Sequence, residues 1–300
     1  MNNKLCTYDG ITAFNLDPAS IDYILSDVSK FKLRASFDLE SKIELGQNGR
    51  FRNIDLSTGS NPRGTGIYLG GSFHKWKNGD HNHDQFYFNE FQQVITEWIE
   101  EFKLHPGKVD ACGLEAGVNI VLDKKLNYEA RTFPQNILFI NGKPREKSII
   151  FYDNGGVGYE AMKGDFAYKC YDKGRHYGVD SEILRIEKVY EKGKPLIKLG
   201  IRTLEDLLSP ESHRRICEDV LKSFKGLMVF QPDLLTNPLL SYDEHKFVVK
   251  FSTADAWLKQ LKENPYFFKK YKAEYNSLIN KYCSYNIQEE IIKIMTSMLK

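Results

Sequence analysis

Two patterns of hydrophobic and polar positions divide the chain. Over the first two hundred residues, short runs rich in Val, Ile, Phe and Tyr alternate with Gly, Asn and Pro, which is typical of strands separated by turns. Over the last hundred residues, apolar side chains recur at the spacing of amphipathic helices. We therefore predict an α+β domain over residues 1–200, with an antiparallel-rich central sheet and flanking helices, and a mainly helical domain over residues 201–300.

The predicted strands are rich in β-branched and aromatic residues. They cover residues 67–74, 114–122, 137–140, 148–152, 166–171 and 183–190, with turns predicted at 141–142 and 155–156. One helix in this half has apolar residues at helical spacing from Phe91 to Phe102, with Asn89 as its expected N-cap and Pro106 after its end. The later helices are predicted at 209–225, 253–262, 265–282 and 286–299.

Composition and charge restrict the class of protein. With 41% hydrophobic and 27% charged residues in 300, the chain can bury a core, and no apolar run reaches the roughly 18 residues of a membrane-spanning helix. We expect a cytoplasmic protein with no membrane partner. The five cysteines are scattered, which argues against a disulfide framework or a thiolate zinc site. The net charge of +2 is uninformative, but residues 246–300 hold ten lysines and five acidic residues, which suits phosphate or, equally, a solvated helical surface.

Alternation along the predicted strand 114–122 brings an acid and an amide to one face. Glu115 and Asn119 share that face, and Gly117 lies between them and leaves room for an ion or a phosphate. Carboxylate and amide oxygens suit Mg²⁺ or Mn²⁺. A sheet face that is simply exposed to solvent is the competing interpretation.

The strands at 166–171 and 183–190 carry a candidate nucleophile and a second acid. Alternation places Arg185 and Glu187 on one face. Glu187 could be a second metal ligand that Arg185 holds in place, or the two could form a purely structural ion pair. It also separates Tyr168 from Tyr171. A tyrosine hydroxyl can attack a phosphodiester when carboxylates bring a divalent metal to the phosphate.

We prefer Tyr171 as that nucleophile. Phe166, Tyr168 and Cys170 form an apolar row suited to the core, whereas Lys173 follows Tyr171 closely enough to stabilise a phenolate or the pentacovalent phosphate. A lone tyrosine in a strand is usually a packing residue, so the assignment depends on the neighbouring charged residues.

A histidine-rich segment follows the Gly-Gly strand at residues 70–71. His74 is the candidate metal ligand at the strand end, and Lys75 and Lys77 are candidate phosphate ligands. His81 and His83 would share a face if extended, but the polar Asn82 between them favours a hairpin loop. No Gly-rich nucleotide loop is present in the sequence.

Taken together, these motifs resemble the phage and plasmid replication proteins of the gene II/X type, which are similar to rolling-circle replication initiators. The segments that carry the resemblance are Gly71-Ser-Phe-His-Lys75 with Asn78-Gly79, Phe86 before the amphipathic helix, Leu114-Glu-Ala-Gly-Val-Asn119, Tyr171-Asp-Lys173 and Leu184-Arg-Ile-Glu187. The resemblance covers roughly residues 65–190.

The resemblance implies a nicking-endonuclease-like fold, and an enzyme that cuts one DNA strand with a tyrosine and stays attached to its 5′ phosphate. It places catalysis on Tyr171 and Lys173, and a Mg²⁺ or Mn²⁺ site on Glu115, Glu187, His74 and Asn119. For DNA binding we predict Lys75, Lys77, Arg185 and, in an aromatic and lysine-rich tail, Lys269 and Lys270. Helical core spacing at Phe267, Tyr271, Tyr275 and Leu278 is the competing interpretation of that tail.

Three hypotheses on function follow. The first is a metal-dependent initiator of rolling-circle replication that nicks and rejoins single-stranded or supercoiled origin DNA in the cytoplasm of a bacterial host. Its further partners would be a host helicase and the replication machinery. The second is a protein that binds an origin or single-stranded DNA with a decayed nuclease fold, and the third is a nuclease-like fold used in defence.

Overall fold

A ten-stranded antiparallel sheet forms the centre of the molecule. The structure is a computed structural model that describes residues 5, 7–37, 44–79, 81–122, 130, 132–140, 146–151 and 157–299. The strands are β1 (Tyr8–Asn15), β2 (Arg34–Phe37), β3 (Glu44–Phe51), β4 (Ile54–Asn61), β5 (Gly64–Ser72), β6 (Val109–Val121), β7 (Ile137–Ile140), β8 (Glu146–Phe151), β9 (Val157–Lys163), β10 (Phe166–Asp172), β11 (Ile183–Tyr190) and β12 (Leu227–Val229). The large sheet has the order β2-β3-β4-β5-β1-β6-β11-β10-β9-β8, and β12 pairs separately with β7.

The first strand along the chain lies in the middle of this sheet. β1 pairs with β5 on one side and with β6 on the other, and β6 pairs in turn with β11. Hairpins β2 to β5 extend the sheet in one direction, and β11 to β8 extend it in the other. Residues of β1, β6, β10 and β11 therefore meet at the centre, although they are far apart in sequence.

The helices surround this sheet and continue into a C-terminal helical region. They are α1 (Pro18–Ser26), α2 (Phe73–Asn78), α3 (Phe88–Phe102), α4 (Lys173–His176), α5 (Gly193–Lys198), α6 (Leu204–Leu207), α7 (Pro210–Lys225), α8 (Pro232–Leu235), α9 (Tyr242–Lys250), α10 (Ala254–Glu263), α11 (Pro265–Tyr282) and α12 (Ile287–Leu299). The predicted α+β class, with an antiparallel central sheet, flanking helices and a helical C-terminal region, is confirmed.

The apolar stripe of α3 packs on the sheet as predicted. Phe91 and Trp98 are fully buried in the main core, against sheet residues such as Leu69 and Leu114. The predicted N-cap at Asn89 is wrong, because the side chain of Glu90 accepts a hydrogen bond from the Tyr87 backbone and starts the helix two residues earlier.

Strand alternation gives the sheet one apolar and one polar face. On the helix side, Ile11, Leu69 and Ala116 join the main core. Residues of the opposite parity, such as Thr12 and Gly70, line an open groove. The candidate chemical groups lie on this second face.

A second, smaller core lies in the C-terminal region. Trp257, Phe268 and Tyr275 belong to it, together with Leu138 from β7. By contrast, the apolar stripes of α7 and α12 pack into the main core of the sheet domain. The division at residue 200 stays a prediction, and the helices after it are shared between the two cores.

Most strongly patterned elements lie where they were predicted. β11 and β7 match their predicted ranges, as do α11 and, apart from its cap residue, α7. The predicted strand 67–74 is wrong at its end, because Ser72 caps α2 by accepting a hydrogen bond from the Lys75 backbone, so His74 is helical. β1 to β4, β9 and β12 were not predicted. The predicted turns at 141–142 and 155–156 lie outside the described residues.

Across the described part of the chain, no helix combines the length and the apolar character that crossing a membrane requires.

Candidate functional site

The carboxylate of Asp9 is the centre of a buried polar network on the central strands. Its Oδ1 accepts a hydrogen bond from Ser72 Oγ at 2.6 Å, and its Oδ2 accepts from Asn82 Nδ2 at 2.7 Å and from Arg185 Nη2 at 3.1 Å. Burial favours the neutral acid, but the charges of Arg185 and Lys173 and the two other hydrogen bonds outweigh it and lower the pKa to about 2. Asp9 is therefore a fixed negative charge at neutral pH.

Arg185 connects three strands through its guanidinium. Nε and Nη2 each lie 2.8 Å from Oε1 of Glu187, and Nη1 donates to Asn119 Oδ1 at 3.1 Å. The residue is only 4% exposed. Burial disfavours its charge, yet Glu187 and Asp9 more than compensate and raise its pKa further. Arg185 and Glu187 thus share one face, as alternation predicted, and Arg185 holds Glu187 in place.

Asn119 fastens a loop to the sheet. Its Nδ2 donates to the backbone carbonyls of Asn82 at 3.2 Å and Asp84 at 2.8 Å, while its own carbonyl accepts from Gln85 Nε2 at 3.2 Å. Its side-chain oxygen is engaged by Arg185. The loop that precedes α3 is therefore held over the ends of β6 and β11.

The histidines of this region lie beside the network. His74 is buried in α2, stacks on Phe86 with ring centroids 4.8 Å apart, and has Nε2 2.7 Å from Asp84 Oδ1 without the alignment of a hydrogen bond. Burial lowers its pKa to about 4, so the imidazole is neutral at pH 7. The rings of His81 and His83 lie 4.9 Å apart.

The position between those two histidines is polar because Asn82 has a partner in the network. Its side chain is buried and donates to Asp9, which brings the loop into the network. A hydrophobic residue in this position would leave one oxygen of Asp9 without that donor.

Tyr171 and Tyr168 point to opposite sides of β10. Tyr171 pairs with Arg185 of β11 in the ladder, and its ring centroid lies 6.0 Å from that of His176. Tyr168 lies on the other side, next to Lys188 and within hydrogen-bonding reach of Ser223 on α7. The strand is regular, so the predicted separation of the two tyrosines is confirmed, with Tyr171 on the face of the buried network.

Lys173 lies beneath the network and has no access to solvent. Its Nζ is 3.9 Å from Asp9 Oδ2, and it has no hydrogen-bond partner among the described residues. Burial and the charge of Arg185 favour the neutral amine, and Asp9 and Glu187 oppose them only in part, so the pKa falls to about 7. Lys173 can therefore gain or lose a proton near neutral pH.

Glu115 and Glu187 form the pair of neighbouring carboxylates on this face. Burial and the charge of Glu187 raise the pKa of Glu115, while Lys169, whose Nζ lies 3.3 Å from Glu115 Oε1, opposes this. The expected free space above Gly117 is absent, because a Cβ there would lie 2.7 Å from Glu187 Cγ. Glu187 itself fills that space.

The predicted metal ligands fit a cation only in part. Within the described residues, no three His, Cys, Asp or Glu side chains come together as a metal-binding group. Asn119 gives its side-chain oxygen to Arg185, and His74 faces Asp84. Glu115 and the second oxygen of Glu187 do fit, because the Arg185 contacts are to Oε1 of Glu187 and Mg²⁺ is commonly held by one or two carboxylates together with substrate phosphates.

The predicted DNA-binding residues are spread over the molecule. Lys75 lines the open groove on the sheet, whereas Lys77 forms an ion pair with Glu90 of α3. Arg185 is buried in the network. Lys269 and Lys270 are exposed on α11, a helix whose buried side chains belong to the second core.

Asp9, Ser72, Asn82 and Lys169 were not predicted as members of the site. Asp9 carried the clearest signal, since it is the one charged residue in the strand sequence YDGITAFN. An acid in the middle of an otherwise apolar and neutral strand indicates a buried partner.

Comparisons with known proteins add little to these observations. No family model matches the chain, and no curated protein matches it significantly. Among solved structures, it is similar to a rolling circle replication initiator protein from Geobacillus stearothermophilus, with a TM-score of 0.42 and 12% sequence identity over 84% of this chain and 96% of that chain. So distant a likeness carries no functional argument, and the activity has to be inferred from the site.

Proposed function

We propose that this protein nicks and rejoins one DNA strand at a phage or plasmid origin through a covalent 5′-phosphotyrosine, and so initiates rolling-circle replication. The observation that carries the proposal is the position of Tyr171. It lies on the polar face of the sheet directly opposite Arg185, and Glu187 lies two residues farther along β11 on the same face. A tyrosine in such charged surroundings suits phosphodiester transfer better than packing.

In the proposed reaction, Tyr171 Oη attacks the scissile phosphorus. A bond forms between Oη and phosphorus as the phenol loses its proton, the bond from phosphorus to the 3′ oxygen breaks, and that oxygen takes up a proton, so that the step releases no net proton. The positive charge of Arg185, which lies opposite Tyr171 in the ladder, is suited to stabilise negative charge that develops during the attack. Reversal by a free 3′ hydroxyl rejoins the strand without an external energy source.

Lys173 and the acids have separate roles in this scheme. With its pKa near 7, Lys173 is suited to exchange a proton with the buried network as charge develops. Glu115 and Glu187 would hold a Mg²⁺ or Mn²⁺ ion with phosphate oxygens of the DNA, and that ion would neutralise charge at the scissile phosphate.

Covalent trapping tests the proposal. The protein is incubated with Mn²⁺ and labelled single-stranded fragments that tile the replicon encoding it, and adducts are separated on a denaturing gel. We expect an adduct that is lost in Tyr171→Phe and kept in Tyr168→Phe. An adduct that persists in Tyr171→Phe would refute the assignment of the nucleophile.

A second candidate is a protein that binds origin or single-stranded DNA without cutting it. It is favoured by one observation, namely that Arg185 already occupies Asn119 and Glu187, two of the four predicted metal ligands. This candidate predicts that fragments are bound with and without Mn²⁺ but that no fragment yields an adduct.

A further inference from the structure

The polar face of the sheet carries a continuous groove whose inner end is lined by Lys169, two residues before Tyr171 on the same face of β10. Its first part, of about 590 Å³, is lined by Glu115 and Lys169 near the site and by Lys75 and Arg50 farther out. A second part, of about 480 Å³, shares Gly70 with the first. A third, of about 450 Å³, shares Arg50 with the first and ends at Lys32 and Arg34 near the edge strand β2.

The groove crosses six strands, from β6 through β1, β5, β4 and β3 to β2. At about 4.8 Å between neighbouring strands, this is a path of roughly 24 Å. Such a length fits a few nucleotides of one extended strand.

Gly70 lies on the floor of the groove, and neither its backbone conformation nor its neighbours in the protein require a glycine there. A Cβ at this position would meet no atom nearer than 3.9 Å, and the backbone is not left-handed. By contrast, a Cβ at Gly71 would lie 2.6 Å from the Asn53 carbonyl, so packing explains that glycine. Because glycine weakens a strand, its presence at residue 70 points to close approach by an external chain.

The charges along the groove favour an anionic occupant. Five basic side chains line it, against three acids: Lys32, Arg34, Arg50, Lys75 and Lys169 against Asp55, Glu115 and Glu191. Two of the acids are close to basic partners, since Asp55 lies 3.6 Å from Arg50 and Glu115 lies 3.3 Å from Lys169.

Tyr68 supplies a supported aromatic ring in the same groove. It lines the second part, and its ring packs on that of the fully buried Phe14 with centroids 4.4 Å apart. Phe14 is the residue paired with Tyr68 on β1, and the two rings are tilted by 45°, so the tyrosine ring is held from the side. A ring fixed in this way suits stacking by a nucleobase, which is a sequence-tolerant contact.

We propose that this groove binds the single DNA strand next to the cleaved phosphate. The strand's backbone passes over Gly70, its phosphates contact Arg34, Arg50 and Lys75, and a base stacks on Tyr68. The inference deepens the proposed function, because the groove begins at Glu115 and Lys169, and Lys169 precedes Tyr171 by two residues on the same face of β10. Binding in the groove is nevertheless separable from cutting.

The test uses the Tyr171→Phe protein, which cannot form the adduct, and fluorescence anisotropy with a labelled single-stranded oligonucleotide of mixed sequence. We expect Gly70→Ile to weaken binding at least tenfold without lowering the melting temperature, because a β-branched residue suits a strand and its Cβ would meet no protein atom nearer than 3.9 Å. Thr65→Ile, which adds bulk to an exposed position of the same strand outside the groove, should bind like its parent.

Arg50→Gln provides a second measurement that does not depend on added bulk. It should reduce the slope of log affinity against log salt by about 0.7, as expected for one lost contact with a single-stranded phosphate. Unchanged binding and salt slope in both folded variants would overturn the proposal. The proposal would also be overturned if duplex DNA competed with the labelled single strand as well as unlabelled single strand does, and if Gly70→Ile abolished duplex binding too. The groove would then accept a duplex.

The outcome is distinguishable from that of the nicking proposal. Loss of binding in Gly70→Ile supports the groove even if no fragment ever yields an adduct with unmodified protein. Conversely, an adduct at Tyr171 combined with unchanged binding in Gly70→Ile and Arg50→Gln supports nicking and refutes the groove.

Discussion

At the scale of single residues, the site depends on charges that are buried together. Arg185 is the positive member of this group, and Asp9 and Glu187 are its negative partners within hydrogen-bonding distance. Removing one member of such a group leaves the others in a low-dielectric interior without compensation.

We therefore expect Arg185→Leu to lower the free energy of unfolding by about 3 to 5 kcal/mol, as measured by urea titration. Arg63→Ala, which removes an exposed ion pair with Asp110, is the control and should cost under about 1 kcal/mol. A change in Arg185→Leu as small as in the control would show that the network does not stabilise the fold.

The lowered pKa of Lys173 predicts how the stability of the protein depends on pH. The pKa is about 7 in the folded protein against an ordinary value of 10.5, so between these values the unfolded chain binds a proton that the folded chain does not. Its contribution to stability is complete above about pH 10.5 and is lost as the pH falls through about 7.

Urea titrations across this window should show stability rising with pH by at most about 1.4 kcal/mol per pH unit from this group. The Lys173→Met protein should lose that rise, whereas Lys259→Met, at an exposed lysine of α10, should keep it. An identical pH dependence in Lys173→Met would contradict the assignment.

At the scale of secondary-structure elements, Asn119 couples β6 to the loop before α3. Its two donated hydrogen bonds hold the carbonyls of Asn82 and Asp84, and its oxygen accepts from Arg185. The position of the loop is therefore fixed by the Asn119 amide, together with the hydrogen bond from Asn82 to Asp9.

Asn119→Ala should destabilise the protein by about 1 to 3 kcal/mol, because a buried donor and two carbonyls lose partners. Amide hydrogen exchange should become faster over residues 81–87 in particular. Gln85→Ala, which removes a single bond to the Asn119 carbonyl, should leave this exchange nearly unchanged. Faster exchange spread over the whole sheet would instead indicate a global effect.

Sequence patterns predicted the elements whose own residues show a clear apolar run or helical periodicity. β11 and α11 have continuous apolar or helical periodicity and match their predicted bounds, whereas β3 and β4, with sequences ELGQNGRF and IDLSTGSN, are polar and Gly-rich. Such strands are stabilised by their neighbours in the sheet, which no local pattern reveals.

The same limit applies to the site. Alternation within one strand was enough to place Arg185 with Glu187 and to separate Tyr171 from Tyr168. It could not identify Asp9, which meets Arg185 only through the pairing of β1 with β6 and of β6 with β11. The competing interpretation of α11 holds for half of its residues, because Tyr275 and Leu278 are buried as core spacing predicts, whereas Phe268 is buried in place of Phe267.

At the scale of the whole molecule, two basic regions lie on different parts of the chain. One is the groove on the sheet, and the other is the exposed pair Lys269 and Lys270 on α11. Exposed Tyr266 and Phe267 lie beside that pair, which makes α11 a candidate second contact for DNA.

The double variant Lys269→Glu and Lys270→Glu should weaken single-strand binding and lower the salt slope by about 1.4 if both lysines contact phosphates. Its stability should be unchanged, because both side chains are exposed. The pair Lys259→Glu and Lys262→Glu on α10 is a control of equal charge change. Equal losses in the two pairs would indicate a general charge effect with no specific contact on α11.

The central position of β1 also affects when the protein can become active during synthesis. Asp9 and Arg185 are separated by 176 residues in sequence, yet they share a hydrogen bond. β1 leaves the ribosome before the other strands of this sheet but has no partner until β5 and β6 follow, and Arg185 emerges later still. A nascent or truncated chain that ends before β11 would therefore lack the buried charge network, and so any activity that depends on it.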